Sequence, residues 1–215
     1  MSDPVQPEEQ SEKKVDDKSI PPLQTEKVIS DLRDIFSAAT LKWKDQIASL
    51  SVVTLVLILV CWIPFANIAF LAGYLRTLLK TLRGEKAAVG DLFSAWDCFA
   101  QILVYVIIVL VAVLALGYLP IIGTIAGILI SIVVSPGLYA VVDKQMGAID
   151  AFKWSFETVK RDMYTWALVV VLGSILSSIG AAVFGIGLIL TIPWGNLAIA
   201  LLYERNKNFL LAEKV

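Results

Sequence analysis

The chain contains no histidine and only two cysteines, and long stretches of it carry no charge at all. Without imidazole there is no Ser-His pair, no His-ligated metal and no general acid or base that titrates unperturbed near neutral pH. Cys61 and Cys98 lie in or beside apolar runs and make no CxxC pair. They read as small buried hydrophobes, not a redox couple. The net charge of −1 excludes the clustered basic surface that nucleic acid requires. No Gly-rich phosphate loop is present, and the apolar runs contain no carboxylate that could form an intramembrane dyad. The expectation is a non-enzymatic protein with no cofactor and no metal.

What is abundant is apolar surface. Of 215 residues 58% are hydrophobic and 17% charged, against roughly 45–50% and about 25% in ordinary soluble domains. No Lys, Arg, Asp or Glu occurs over 46–75, 98–142 or 163–203, runs of 30, 45 and 41 residues. One helix needs roughly 20 apolar residues to cross a bilayer core. A soluble monomer is excluded, and the fold class expected is all-α. Its architecture would be an integral membrane helical bundle of about six transmembrane helices in three hairpins, with amphipathic cytoplasmic helices.

The organisation follows from composition. Residues 1–24 are rich in Pro, Glu, Asp, Lys and Ser and read as a disordered polar tail. Over 25–46, Val28, Leu32, Ile35, Phe36, Ala39 and Trp43 recur at helical spacing after Thr25, a candidate N-cap. This amphipathic helix leads into a transmembrane bundle over 47–203, followed by a cytoplasmic tail over 204–215. Gly, Pro and Trp place the helices at 47–63 and 65–82, 99–117 and 121–142, and 164–183 and 186–203. With no cleavable leader expected, the first apolar helix is its own insertion signal.

A weak repeat underlies the three hairpins. Ile63-Pro64-Phe65-Ala66-Asn67 resembles Leu119-Pro120-Ile121-Ile122-Gly123 and Ile192-Pro193-Trp194-Gly195-Asn196. Phe36-Ser37-Ala38-Ala39, Phe93-Ser94-Ala95-Trp96 and Phe152-Lys153-Trp154-Ser155 start the three units. Pro193 falls inside a helix on this placing, whereas Pro64 and Pro120 fall at turns. Arg76 and Lys80 near the end of the first hairpin either snorkel to the interface or mark a re-entrant hairpin.

All 18 Lys and Arg residues lie in the N-terminal segment, at or after Arg76, over 144–161, or after Tyr203. The positive-inside rule then puts both termini in the cytoplasm, in a cytoplasmic (inner) membrane. Trp43, Trp96, Trp154 and Trp166 would mark the inner interface, and Trp62, Tyr118 and Trp194 the outer one.

The candidate binding residues are few. Asn67 and Asn196, each three positions after a proline, and Gly123 are the candidates for contact with lipid or a neutral ligand. The other interior polar groups, among them Gln101, Ser131, Ser135, Ser177 and Thr191, read as interhelical hydrogen-bonding groups. Gly123-xxx-Gly127 and Ser131-xxx-Ser135 would let helices approach closely, and a homo-oligomer is compatible with the same spacing. In the loop after Gly147, Ile149, Phe152, Phe156, Val159 and Met163 share one helical face, which would dock a partner protein or lie on the bilayer or the bundle. Asp91-Leu92-Phe93 reads as an N-cap followed by an anchoring pair.

Trp62-Ile63-Pro64, Arg83-Gly84, Asp91-Leu92-Phe93, Ala151 through Ser155, and Gly187 through Pro193 to Tyr203 carry a resemblance. They resemble a loose group of uncharacterised bacterial polytopic membrane proteins, including the membrane domain that precedes some glycerophosphodiester phosphodiesterases. The resemblance covers roughly residues 40–205 and implies a bacterial cytoplasmic-membrane protein with six helices. It supplies no catalytic residue, and the phosphodiesterase domain has no counterpart here. Two functions stand open: an envelope accessory or scaffold that organises lipid or a partner, and a carrier or pore for a small neutral or amphipathic solute.

Overall fold

A computed structural model describes residues 24–117, 120–182 and 186–208. The polar tail over 1–23, Tyr118 and most of the C-terminal tail lie outside the described residues. Every regular element among them is helical: α1 (Gln24–Asp45), α2 (Ile47–Val60), α3 (Ala66–Leu82), two 3-10 turns (Val89–Phe93 and Ala95–Cys98), α4 (Phe99–Gly117), α5 (Pro120–Lys144), α6 (Ala148–Arg161), α7 (Met163–Ile179), a third 3-10 turn (Gly180–Ala182) and α8 (Leu188–Asn206). Pro64 and an exposed Phe65 at φ 63° make the α2–α3 turn. Pro120 is the first residue of α5, where its missing N–H costs nothing. Pro193 lies inside α8.

Three stretches are long and apolar enough to cross a membrane: Val89–Ala115, Gly123–Lys144 and Met163–Ala182. The pair Glu26–Asp45 and Ile47–Val60 passes the same test only together, and is bent by 87° at its junction. The count is therefore three or four, against the six expected. The difference lies in α2, α3 and α8. With 14 residues, α2 is about 21 Å long, short of a hydrocarbon core of about 30 Å. Arg76 and Lys80 lower the hydropathy of α3, and Pro193, Asn196 and Glu204 lower that of α8.

The unit of helix plus hairpin recurs as α1 with α2–α3 and as α6 with α7–α8. In the middle unit the 3-10 turns Val89–Phe93 and Ala95–Cys98 stand in place of the amphipathic helix, and they double back along α3. Lys80 Nζ reaches Asp91 Oδ1 at 2.6 Å, Phe93 meets the edge of Phe70 at 5.3 Å between centroids, and Gly73 has no room for a Cβ because Leu92 O would stand 2.3 Å from it. So α4 starts beside the first half of α3, not at its end. Asp91 is not an N-cap as expected; it lies inside the turn, and its carboxylate accepts from Ala88 N at 3.2 Å while pairing with Lys80.

The core is drawn from all helices. Ile35 and Ala39 of α1, Leu50 and Val53 of α2, Leu78 and Leu79 of α3, Ile102 and Tyr105 of α4, Trp166 and Val169 of α7, and Leu197 and Tyr203 of α8 are fully buried. Trp166, expected at the interface, is thus a core residue: it lies one turn into α7, on the face turned inward. By contrast Ile107, Ile108, Leu110, Val111 and Leu114 on α4, Ile128 and Leu129 on α5, and Leu168, Leu172 and Ile175 on α7 are exposed.

The close helix contacts are not where Gly123-xxx-Gly127 placed them. A Cβ on Gly127 would meet open space, and the hydroxyls of Ser131 and Ser135 bond to Ile128 O and Ser131 O in their own helix. The tight contact joins α7 to α8, where a Cβ on Gly195 would stand 2.1 Å from Gly173 O. Towards the end of this hairpin, Gly180 and Gly187 face each other in the same way.

Candidate functional site

Two constructions connect the amphipathic segments to the bundle. The first is the junction of α6 with α5. Pro136 interrupts α5, since it offers no N–H to the carbonyl four residues back and its ring crowds that carbonyl. In the next rung, Val133 C=O and Gly137 N–H would bond to each other in a regular helix. Instead Gly137 N donates to Ser155 Oγ at 2.8 Å, and the Ser155 hydroxyl donates to Val133 C=O. Tyr105 of α4 donates its hydroxyl to Val134 O at 3.0 Å. A side chain larger than hydrogen at position 137 would collide with Tyr105, whose oxygen lies 2.1 Å from the ideal Cβ. Ser155 and Tyr105 thus bond the backbone of α5 beside Pro136, and the Ser155 contact fixes which side of α6 turns inward.

That side carries mostly small residues, with Trp154 the exception. Ala148, Ala151, Trp154, Ser155, Thr158 and Val159 are buried. Ile149, Phe152 and Phe156 are exposed, as is Met163 just beyond the helix. Of the face expected to dock a partner, Val159 therefore belongs to the interior, because Ser155 must reach the α5 backbone and carries its neighbours with it. Phe152 and Phe156 instead line a groove between α4 and α5.

The second construction is a charged cleft of about 470 Å³ at the ends of α3 and α5, lined by Arg76, Lys80, Arg83, Glu85, Asp97, Asp143, Lys144 and Gln145 among others. Arg76 binds both carboxylate oxygens of Asp97 at 2.9 and 3.0 Å and Ser94 O at 2.7 Å. Gln145 Nε2 donates to the same carboxylate at 2.6 Å, from a left-handed backbone at φ 50° that turns the chain out of α5. Arg83 reaches Asp143 Oδ1 at 2.5 Å and Glu204 Oε1 at 2.8 Å, and Tyr203 donates to Asp143 Oδ2 at 3.0 Å. Burial pulls the Arg83 guanidinium down, but its bonds and charge pairing with Asp143 and Glu204 outweigh this and hold it above its ordinary value. The cleft is a clamp that ties α3, α5 and α8 together. Asp91 and Asp97 do not form a carboxylate pair, because Lys80 and Arg76 hold them separately. Among the described residues no cluster of acidic or sulfur ligands could hold a metal.

The remaining sequence candidates are dispersed. Asn67 is exposed at the start of α3. Asn196 is half-buried, and its amide donates to Ile192 O at 2.9 Å within α8 while its backbone carbonyl accepts from Tyr139 at 3.2 Å. Gly123 is half-buried near the start of α5. No polar site gathers these three. The clamp and the Ser155 bridge were both missed by sequence reasoning. A signal for the bridge exists in Pro136-Gly137, which marks a helix position that needs outside partners.

Trp43 and Trp194, expected at opposite interfaces, instead stack on each other at 5.3 Å between centroids. Trp43 Nε1 donates to Leu190 O at 3.0 Å, and Trp194 Nε1 donates to Thr40 Oγ1 at 2.9 Å. This fastens α1 to α8. Comparison of the chain with protein-family models, curated proteins and solved structures finds no match.

Proposed function

We propose that the protein is a non-enzymatic, multi-pass scaffold of a cytoplasmic membrane, which organises lipid or a partner protein through the exposed stripe of α6. In this reading α4, α5, α7 and α8 cross the bilayer as two hairpins, both termini are cytoplasmic, and α2–α3 is a re-entrant hairpin entered from the cytoplasmic side. The shortness of α2 and the doubling back of the 3-10 turns along α3 support that hairpin.

The observation that carries the reading is that most polar groups of the apolar helices are engaged locally, while the three buried polar atoms without a partner among the described residues, Gln101 Oε1, Thr165 Oγ1 and Trp166 Nε1, are dispersed over α4 and α7. Asn196, Ser131, Ser135 and Ser178 bond to carbonyls of their own helices, and Thr191 bonds to Ser177 O across the α7–α8 hairpin. Asn67 stands apart at the α2–α3 turn. A carrier or pore for neutral solutes needs a polar track instead. Flux measurement tests this. Proteoliposomes that resist carbonate extraction are expected to take up glycerol and small neutral solutes no faster than protein-free vesicles. Uptake above that background, lost on Asn196→Leu, would replace the scaffold by a carrier.

A further inference from the structure

Between α4, α5 and α6 runs an open groove of about 310 Å³, walled only by apolar atoms of Ile108, Val109 and Ala112 on α4, Leu129, Ile130, Val133 and Val134 on α5, and Phe152 and Phe156 on α6. Its size falls at the lower end of small-molecule pockets, about 300–1,000 Å³. The two helices that form its walls belong to stretches apolar enough to cross a membrane, and the surface around it is aliphatic. The groove thus opens where acyl chains would be.

The end of the groove that meets α6 has a different chemistry. Lys153 and Lys160 are exposed and lie seven residues apart, along one edge of the Ile149–Phe152–Phe156 stripe. At about 1.5 Å per residue they stand about 10 Å apart on the same face. Among the described residues neither ammonium has an ion-pair partner, unlike Arg76, Lys80, Arg83 and Lys207. Asp150 and Glu157 lie further round the helix, on its outer side. Two exposed cations, one turn to either side of Phe156 along the helix that closes the groove, match an amphiphile with an anionic head and a hydrocarbon tail.

We propose that this is a binding site for one anionic phospholipid, its acyl chain in the groove beside Phe152 and Phe156 and its phosphate at Lys153 and Lys160. The inference rests on the membrane-scaffold reading and specifies the lipid that reading leaves open. The aromatic rings set the depth at which the glycerol region sits, and the lysines select the sign of the headgroup.

The test equilibrates the full-length protein with mixed vesicles of equal palmitoyl-oleoyl phosphatidylglycerol and phosphatidylcholine, followed by native mass spectrometry. The wild type is expected to retain one phosphatidylglycerol, favoured about tenfold over phosphatidylcholine. In Lys153→Gln/Lys160→Gln the preference falls to near one while a lipid is still retained. Ala112→Phe, which fills the groove, loses the retained lipid altogether with helicity unchanged. Equal retention of both lipids by the wild type, an unchanged preference in the double variant, or full retention in a folded Ala112→Phe would each overturn the proposal. Carbonate extraction separates the two levels. A protein that leaves the membrane fails the scaffold reading itself, whereas an integral protein without lipid preference fails only this inference.

Discussion

Replacing Ser155 by Ala removes a single oxygen and leaves two backbone groups of α5 without their partner. Ser155 is fully buried, and it accepts from Gly137 N–H and donates to Val133 C=O at the rung beside Pro136. A buried donor or acceptor left unsatisfied costs about 1–3 kcal/mol. Two such groups set an upper range of about 2–6 kcal/mol, but Val133 and Gly137 are natural i,i+4 partners and would partly re-pair once the oxygen is gone. The expected loss is therefore about 2–3 kcal/mol. The assay is SDS titration of the purified protein in mixed micelles, followed by far-UV circular dichroism. Ser131→Ala is the control, because Ser131 is exposed and bonds only within its own helix; it is expected to change stability by less than about 0.5 kcal/mol. Equal midpoints for Ser155→Ala and Ser131→Ala would refute the assignment of the Pro136 break to α6.

Gly195→Ala is expected to force α7 from α8 and lower stability by about 2–4 kcal/mol, since its Cβ would stand 2.1 Å from Gly173 O. Gly127→Ala, placed where a Cβ meets open space, is expected to be neutral or stabilising by up to about 1 kcal/mol; the same SDS titration ranks the two, and reversed order would sink the helix contact described. Arg83→Met leaves the side chains of Asp143 and Glu204, 12% and 16% exposed, without their shared cation. The loss expected at neutral pH is about 1–3 kcal/mol, discounted for the partial exposure of Arg83, and limited proteolysis after Arg205 or Lys207 would report loosening of α8. Cys61 is exposed at the α2–α3 turn and Cys98 is buried, which makes the natural protein a single-site topology probe. An impermeant maleimide added to intact cells is expected to leave Cys61 unmodified until detergent is added; labelling without detergent would turn the hairpin into a full crossing.

How much of this was legible beforehand depends on what each feature needs from the rest of the chain. Helix ends are local: the turn at Pro64, the start at Pro120 and the extents of α4 and α6 follow from charge-free runs punctuated by Pro and Gly, and the structure has them within a few residues of the expected positions. The amphipathic α1 is equally local, with Ile35 and Ala39 buried and Arg33 and Asp34 exposed. Side chains that answer a distant group are not local. Nothing near Arg76 announces Asp97, nothing near Arg83 announces Glu204, and Ser155 is only one of many serines until α5 is seen to break beside it.

The sequence by itself determined that the chain is helical and apolar over most of its length, because backbone groups in an apolar medium must pair within their own helix and the runs are long enough to require it. Tertiary structure alone decided which apolar face is core and which is exposed. In a water-soluble helix the polar stripe marks the outside, but lipid tails are as apolar as leucine, so α4 and α5 carry no such contrast. The choice between Gly127 and Gly195 as a close contact, and between Val159 and Phe156 as an inward residue, was made by backbone approach and by the unpaired groups around Pro136.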